Sequence, residues 1–464
     1  MGDLRDAEAE LSKALERLGR RTSFAEVLAE RSDGRALRYE TRSVNLSASP
    51  HLTGAIFRAW GGTRWVEAAT SAFDRASVAA ATESVERALD SGALGSPPPG
   101  PSSTLRKEWT AEPALPMRDL GPEALTKLAR DILGWATELP EIRQGQVTIG
   151  WDEEERFYLN TAGARCFCRL HRVRAAAVPI AFQNGRMEFE FLIESGLGGQ
   201  ELLQGLTQER VRTAARNALE LLRAGTPPSG EMSVLLDPGT TGTFAHESFG
   251  HGTEADQFLR DRSYLAPILG ETVGPESLTI VDDGAYPGKW GTILCDDEGH
   301  EAGRTVLVDQ GRFVGALHDR DTAAALHAQP TGNTRRADFL SRAFVRMTNT
   351  FVEPQDWTYE ELVEEMKDGV VLERTTSGIE DPLGGQMQIK VKKGHRVEHG
   401  EVTGLVSSMA LSGKVLDFLR SIRGVGVKED FVIEPGTCGK GKSDLLPCGT
   451  GGVYLLSRAV VGPA

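Results

Sequence analysis

Two imidazoles and a carboxylate fall within one short stretch, Thr243-Phe-Ala-His246-Glu247-Ser-Phe-Gly250-His251-Gly252-Thr-Glu254, and this stretch constrains everything built around it. It follows the turn signal Asp237-Pro238-Gly239-Thr240 and reads as a helix over 243–258. Neutral imidazoles bind zinc, and a neighbouring carboxylate can take a proton from a water that the metal activates; the familiar pattern is His-Glu-x-x-His on a helix. Here the spacing is one residue longer. At about 100° per residue, positions i and i+4 share a face, whereas i and i+5 diverge by about 140°. Both histidines meet one metal only if the helix is locally widened. A π-bulge absorbs one extra residue, and Gly250 is read as the residue that permits it. His246 and His251 are thus candidate ligands and Glu247 the candidate general base. The alternative is an ordinary helix start in which His251 merely faces Glu247 or Glu254.

A catalytic zinc takes three protein ligands and keeps one position open. Cys438, in Gly436-Thr-Cys438-Gly439-Lys440-Gly441-Lys442, lies on a glycine-rich stretch read as a loop, with Lys440 beside it to favour the thiolate. Cys448, after Pro447, is its rival. The run Arg374 to Lys390 is too glycine-rich for a core and too varied for a linker, and reads as a shaped loop leading into a strand. Arg346-Met347-Thr348-Asn349-Thr350-Phe351 is a polar, strand-like segment.

These segments, together with Asp282-Asp283-Gly284, Asp297-Glu298-Gly299, Gly332-Asn333, Ser377-Gly378, Gly384-Gly385 and Cys438-Gly439-Lys440, occur in the order seen in the TldD/PmbA family, also known as modulators of DNA gyrase. The chain resembles that family well over about residues 230–452 and only in outline before residue 200. The resemblance implies a zinc metalloprotease of the TldD type, with His246, His251 and Cys438 holding the metal and Glu247 catalytic. It implies an α+β protein of two domains, the C-terminal one largely β and carrying the zinc-binding helix. The family's PmbA or TldE branch lacks the metal motif and acts as a partner, so a homodimer or a heterodimer with a TldE/PmbA-like chain is expected. After Lys440 this chain departs from the family pattern with Gly441-Lys442-Ser443-Asp444-Leu-Leu-Pro447-Cys448-Gly449, which bears on adjoining substrate contacts.

A net charge of -14 argues against nonspecific binding of nucleic acid or anionic membrane, because phosphate contacts need clustered cations. Arg169-Leu-His171-Arg172-Val-Arg174 reads as a strand with a solvated face. No apolar run approaches the roughly 18 residues of a membrane span, and the first 20 residues form a charged amphipathic helix; a cytoplasmic protein is expected. Five cysteines spread through the chain fit a reducing compartment. Cys166 and Cys168 are read as pointing to opposite faces of a strand, and Cys295 as buried.

Punctuation divides the chain into an N-terminal α+β domain, 1–228, of mixed strands and helices with a Pro/Gly/Ser-rich excursion at 91–116, and a C-terminal metal-binding, β-rich domain, 229–464. Strands are expected at 23–31, 35–49, 141–151, 154–161, 165–180, 291–295 and 430–436, and helices at 74–91, 122–138, 207–225 and 410–421 among others. Glu254 and Asp256 either fix the imidazole tautomers or are solvated helix-face charges, and His300 and His318 are candidates to assist an oxyanion or plain loop histidines. The glycine-rich strand from Ser377 could pair with an extended or unfolded peptide. Two other readings remain: a noncatalytic subunit whose zinc site is closed by Cys448 or Glu254, and a tailoring amide hydrolase acting on a peptide-derived metabolite.

Overall fold

A computed structural model describes residues 3–48, 51–89, 93–95, 97–440 and 444–464. Part of the Pro/Gly/Ser stretch (Ser91, Gly92 and Ser96) and of the divergent loop (Gly441, Lys442 and Ser443) lies outside the described residues. The fold is α+β, as expected from the sequence. None of the described helices is long and apolar enough to cross a membrane.

The first half is one nine-stranded sheet built on three long strands, Ala25–Glu40, Ile142–Asn160 and Arg165–Gln183. Two of these were expected as broken pairs of short strands. The run Asp152-Glu153-Glu154-Glu155 looks like a turn in the sequence, yet the strand passes straight through it. Arginines on neighbouring strands meet the carboxylates: Arg172 Nη1 lies 2.5 Å from Glu154 and Arg169 Nη2 2.6 Å from Glu155. Opposite charges facing each other across strands stabilise the ladder where isolated they would disfavour it.

Side chains alternate along these strands, and the two faces serve different partners. Odd-numbered positions such as Val27, Val147, Ile149, Phe157 and Val173 are apolar and buried. They pack beneath two helix pairs, Glu8–Leu18 with Arg75–Ala88 over one end and Pro122–Ala136 with Gln208–Leu221 over the other. Even-numbered positions, including Glu26, Glu30, Arg58, Tyr158 and Arg172, are also buried, although charged or polar. They face the second half of the chain. Arg58 Nη1 lies 2.7 Å from Glu298, and Arg320 meets both Glu26, at 3.1 Å, and Glu298, at 3.3 Å. Arg156 Nη1 lies 2.6 Å from Asp297. The face expected to be solvated around Arg169 to Arg174 is therefore covered, with Arg169 and Arg172 paired to carboxylates.

Cys166 and Cys168 share a face, contrary to the expectation, since residues two apart in a strand point the same way. Cys168 Sγ lies 4.0 Å from Cys295 Sγ of the second half.

The second half holds a sheet closed on itself. Gly230–Leu236, Gly369–Asp381, Gln386–Glu398, Met409–Lys414 and Leu455–Pro463 follow one another, and the last pairs back with the first. Its interior is apolar, with Val234, Leu236, Leu372, Ile389 and Leu411 packed around Phe244, Phe249 and Phe418. The expected helix 410–421 is shortened to Val415–Arg420, because Met409–Lys414 finds ladder partners on both sides. The Arg374–Lys390 loop is the end of a β-hairpin turning at Asp381–Gly385. The 291–295 segment forms no strand, only a bridge between Cys295 and Glu301.

A second, six-stranded sheet runs Arg312–Phe313, Arg304–Asp309, Ile280–Asp283, Asn349–Val352, Asp444–Gly452, Val432–Lys440. The strand expected at 430–436 thus extends to Lys440. Cys438 sits on this strand instead of on a loop, directly across from Leu446.

Candidate metal centre

The Asp237-Pro238-Gly239-Thr240 turn is the first turn of the helix. Asp237 Oδ1 accepts the Thr240 N–H at 2.8 Å, and Pro238 occupies the first helical position, where its missing N–H costs nothing. After Thr243 the helix widens. Phe244–Phe249 is a π-helical segment in which the Gly250 N–H reaches back five residues to the Ala245 carbonyl, and the expected continuous helix then breaks into a 3-10 turn at Gly250–Thr253 and a short helix at Ala255–Phe258. The extra residue between the histidines is absorbed there.

Gly250 itself has ordinary helical angles, φ −59° and ψ −46°. Its lack of a side chain matters for another reason: a Cβ would lie 2.2 Å from Met347 Sδ and 3.1 Å from the Ala245 carbonyl. The glycine permits close packing rather than an unusual backbone.

The widening brings the two imidazoles together, with ring centroids 5.2 Å apart and planes at 79°. Cys438 comes up to them from the neighbouring sheet, its Sγ 3.3 Å from His251 Nε2. One donor atom each from His246, His251 and Cys438 lies within 4.8 Å of the others, and no other trio of such ligands gathers among the described residues. His246 is 1% exposed, and neither of its ring nitrogens has a hydrogen-bond partner. A buried imidazole without a partner is costly, and a bound cation would satisfy it. Tetrahedral zinc, with bonds of about 2.0–2.3 Å, spaces its ligand atoms by about 3.3–3.6 Å. The donor set suits zinc, and the Cys438–His251 distance of 3.3 Å matches that spacing.

The two rival cysteines behave in opposite ways. Burial disfavours a Cys438 thiolate, but the adjacent imidazoles outweigh it and hold its pKa well below the ordinary thiol value. Burial and the neighbouring Cys438 push Cys448 well above that value.

Lys440 does not act on Cys438 as its sequence position suggests. Its ammonium turns to Glu254 at 2.8 Å, Asp256 at 2.7 Å and the Val345 carbonyl at 3.0 Å. Glu254, fully buried, also accepts from His251 Nδ1 at 3.4 Å, which leaves Nε2 free on the side of Cys438. Glu254 is tied in this way to Lys440 and to the candidate ligand His251, and the Arg346 guanidinium donates to the carbonyl of the candidate ligand Cys438 at 2.6 Å.

Glu247 lies beside the cluster, its Oε2 3.9 Å from His251 Nε2, and is about one third exposed. It opens, with His246, onto a cleft of about 400 Å³ walled by Thr375–Gly378 of the hairpin on one side and by Arg174 and Ile193 of the first-half sheet on the other. Gly378 is pressed against it: a Cβ there would lie 2.8 Å from Glu247 Cγ. His300 and His318 do not line this cleft. His300 turns to the Pro101 carbonyl, and burial lowers the pKa of His318 to about 4.

Several dispersed motifs serve the scaffold. Asp282 is a buried hub that accepts the Thr348 N–H, the hydroxyls of Thr348 and Thr350, and the Asn333 amide. Asp297 and Glu298 bind the first-half sheet. Glu380 was not among the residues singled out in the sequence; its carboxylate oxygens are buried near His251 and Tyr264, and burial raises its pKa to about 8. A lone Glu in a glycine-rich hairpin carries no signal of that position.

The family model of the PmbA/TldA metallopeptidase C-terminal domain matches residues 229–453. A metalloprotease of Methanocaldococcus jannaschii is 36% identical over 308 residues, covering 66% of this chain and 67% of its own length. A zinc metalloprotease TldD homologue of Saccharolobus solfataricus is 31% identical over 226 residues, covering 48% and 50% of the two chains. The crystal structure of TldE from Thermococcus kodakarensis superposes with a TM-score of 0.75 at 18% identity, covering 98% of this chain and 100% of that one, and so shares the fold.

Proposed function

The chain belongs to the TldD/PmbA metallopeptidase family, and from that premise we propose that it is a zinc-dependent peptidase acting on extended or unfolded peptides. The observation that carries the reading is the convergence of His246, His251 and Cys438 across a π-helical widening, with the buried His246 otherwise unpartnered. His246, His251 and Cys438 would hold the metal, leaving one side toward the cleft. Zinc bound there supplies Lewis acidity toward a water and the scissile carbonyl.

Glu247 is the general base. Its carboxylate takes one proton as the water oxygen attacks the carbonyl carbon, and returns it to the leaving nitrogen as the C–N bond breaks. Glu254 meets His251 at Nδ1, which would leave Nε2 to the metal. Beyond Leu372, the hairpin strand Gly369–Asp381 pairs only with Gln386–Glu398 among the described residues, and its other edge borders the cleft. An extended peptide could add to that edge by main-chain hydrogen bonds. The shared fold with TldE supports a TldE-like chain, or a second copy of this one, as partner.

The test is metal content together with cleavage of unfolded protein, for the unaltered chain, Glu247→Ala and Cys438→Ala. About one zinc per chain is expected, kept by Glu247→Ala with cleavage lost and lost with cleavage in Cys438→Ala. Cleavage that survives Glu247→Ala would sink this assignment.

A further inference from the structure

Of the arginines covered by the fold, Arg58, Arg156, Arg172, Arg320 and Arg336 each meet a carboxylate of the chain, and Arg335 and Arg346 donate to backbone carbonyls. Arg174 does neither. It lies two residues beyond Arg172 on the strand Arg165–Gln183, half-buried, and its guanidinium has no hydrogen bond or ion pair among the described residues. Burial holds its pKa below the ordinary arginine value, and the titratable group that bears on it is the Cys448 thiol rather than a carboxylate. Strand alternation aims it, like Arg172, at the second half of the chain, where it forms part of the cleft wall shared with His246 and Glu247.

The other two arginines of the cleft are engaged. Arg210 is paired with Glu194, and Arg374 lies 3.9 Å from Glu190 with its guanidinium over the Phe191 ring. An unpaired cation in a half-buried wall carries a desolvation cost that a ligand anion would offset. The guanidinium fork matches a carboxylate in a two-bond geometry that an ammonium cannot reproduce.

We propose that Arg174 is a substrate-recognition residue that binds a carboxylate of the peptide in the cleft, either a free C-terminal carboxylate or an Asp or Glu side chain. The proposal rests on the peptidase reading and gives it a substrate class: peptides that present a negative charge within reach of the bond to be cut. Arg174 touches the peptide away from the reacting atoms, so its loss raises KM and leaves kcat nearly unchanged.

The experiment is calorimetric binding of matched synthetic peptides to the Glu247→Gln protein, which binds without turnover. One scaffold peptide is made with a free C-terminal carboxylate, as its C-terminal amide, and as amides carrying an internal Glu or Gln. A charge-assisted pair predicts about tenfold to a hundredfold tighter binding of one carboxylate form over its neutral partner, and which form gains identifies the source of the charge. Adding Arg174→Gln should erase that preference, and adding Arg174→Lys should restore part of it. Equal binding of charged and neutral peptides by the Arg174-containing protein overturns the proposal, and that comparison needs no substitution at Arg174. Cleavage of the same peptides by the unaltered enzyme is read separately. Carboxylate preference without any cleavage would refute the peptidase reading and leave the recognition standing, whereas cleavage without preference does the reverse.

Discussion

Lys440 Nζ lies 2.8 Å from Glu254 Oε2, on the strand that also carries Cys438 two positions earlier in the chain. The lysine therefore neutralises a buried pair of carboxylates, Glu254 and Asp256, one of which also orients His251. Lys440→Met removes the counter-charge and should cost about 3–5 kcal/mol of stability, the usual penalty for breaking a buried ion pair. Zinc affinity should fall about tenfold to a hundredfold through the loosened imidazole. Denaturant unfolding and competition with a chelator measure the two effects. An unchanged zinc affinity would show that Glu254 does not orient His251.

Gly250→Ala places a methyl group 2.2 Å from Met347 Sδ, beneath the π-helical segment. Overpacking of this kind costs about 1–3 kcal/mol. Since the angles at Gly250 are helical, the penalty is steric, and Met347→Ala in the same chain should recover part of it. No recovery in the double variant would mean that the glycine is required for backbone freedom after all.

Arg320 is fully buried between Glu26 of the first-half sheet and Glu298 of the second half. Arg320→Met leaves carboxylates from both halves short of a counter-charge and should destabilise the chain by about 3–5 kcal/mol. Calorimetry would show a lowered transition temperature. The triple change Arg320→Met, Glu26→Gln, Glu298→Gln should be milder than the single one, because unpaired charge, and not lost attraction, is the dominant cost.

His318 carries a pH signature with a definite sign. Burial lowers its pKa from 6.5 to about 4, and its Nδ1 has no partner. Between those values the unfolded chain binds a proton that the folded chain does not. The contribution of His318 is thus complete above pH 6.5 and is lost as pH falls toward 4. His318→Gln should flatten the fall of unfolding free energy across this window. An identical slope in the variant would count against the burial account.

Residue type and spacing alone marked His246, Glu247 and His251 as candidates for a metal site. Two histidines one residue too far apart imply a widened helix, since no regular helix presents both to one ion, and Phe244–Phe249 is π-helical. The ordered motifs from His246 to Lys440 were enough to identify the family, because residue type and order are local properties. Tertiary structure decided which groups meet. Alternation along the strands Ala25–Glu40, Ile142–Asn160 and Arg165–Gln183 was legible, but a polar face looks the same in sequence whether water or a charged partner covers it. Only the packing of the second half onto Glu26, Arg58, Arg156 and Arg172 shows that it is covered. The same holds for Lys440, whose partner lies 186 residues away, and for Arg174, whose guanidinium bonds to no carboxylate among the described residues. Hydrogen-bond and charge partners are set by distance in space, and sequence spacing constrains that distance only within one helix turn or one strand pair.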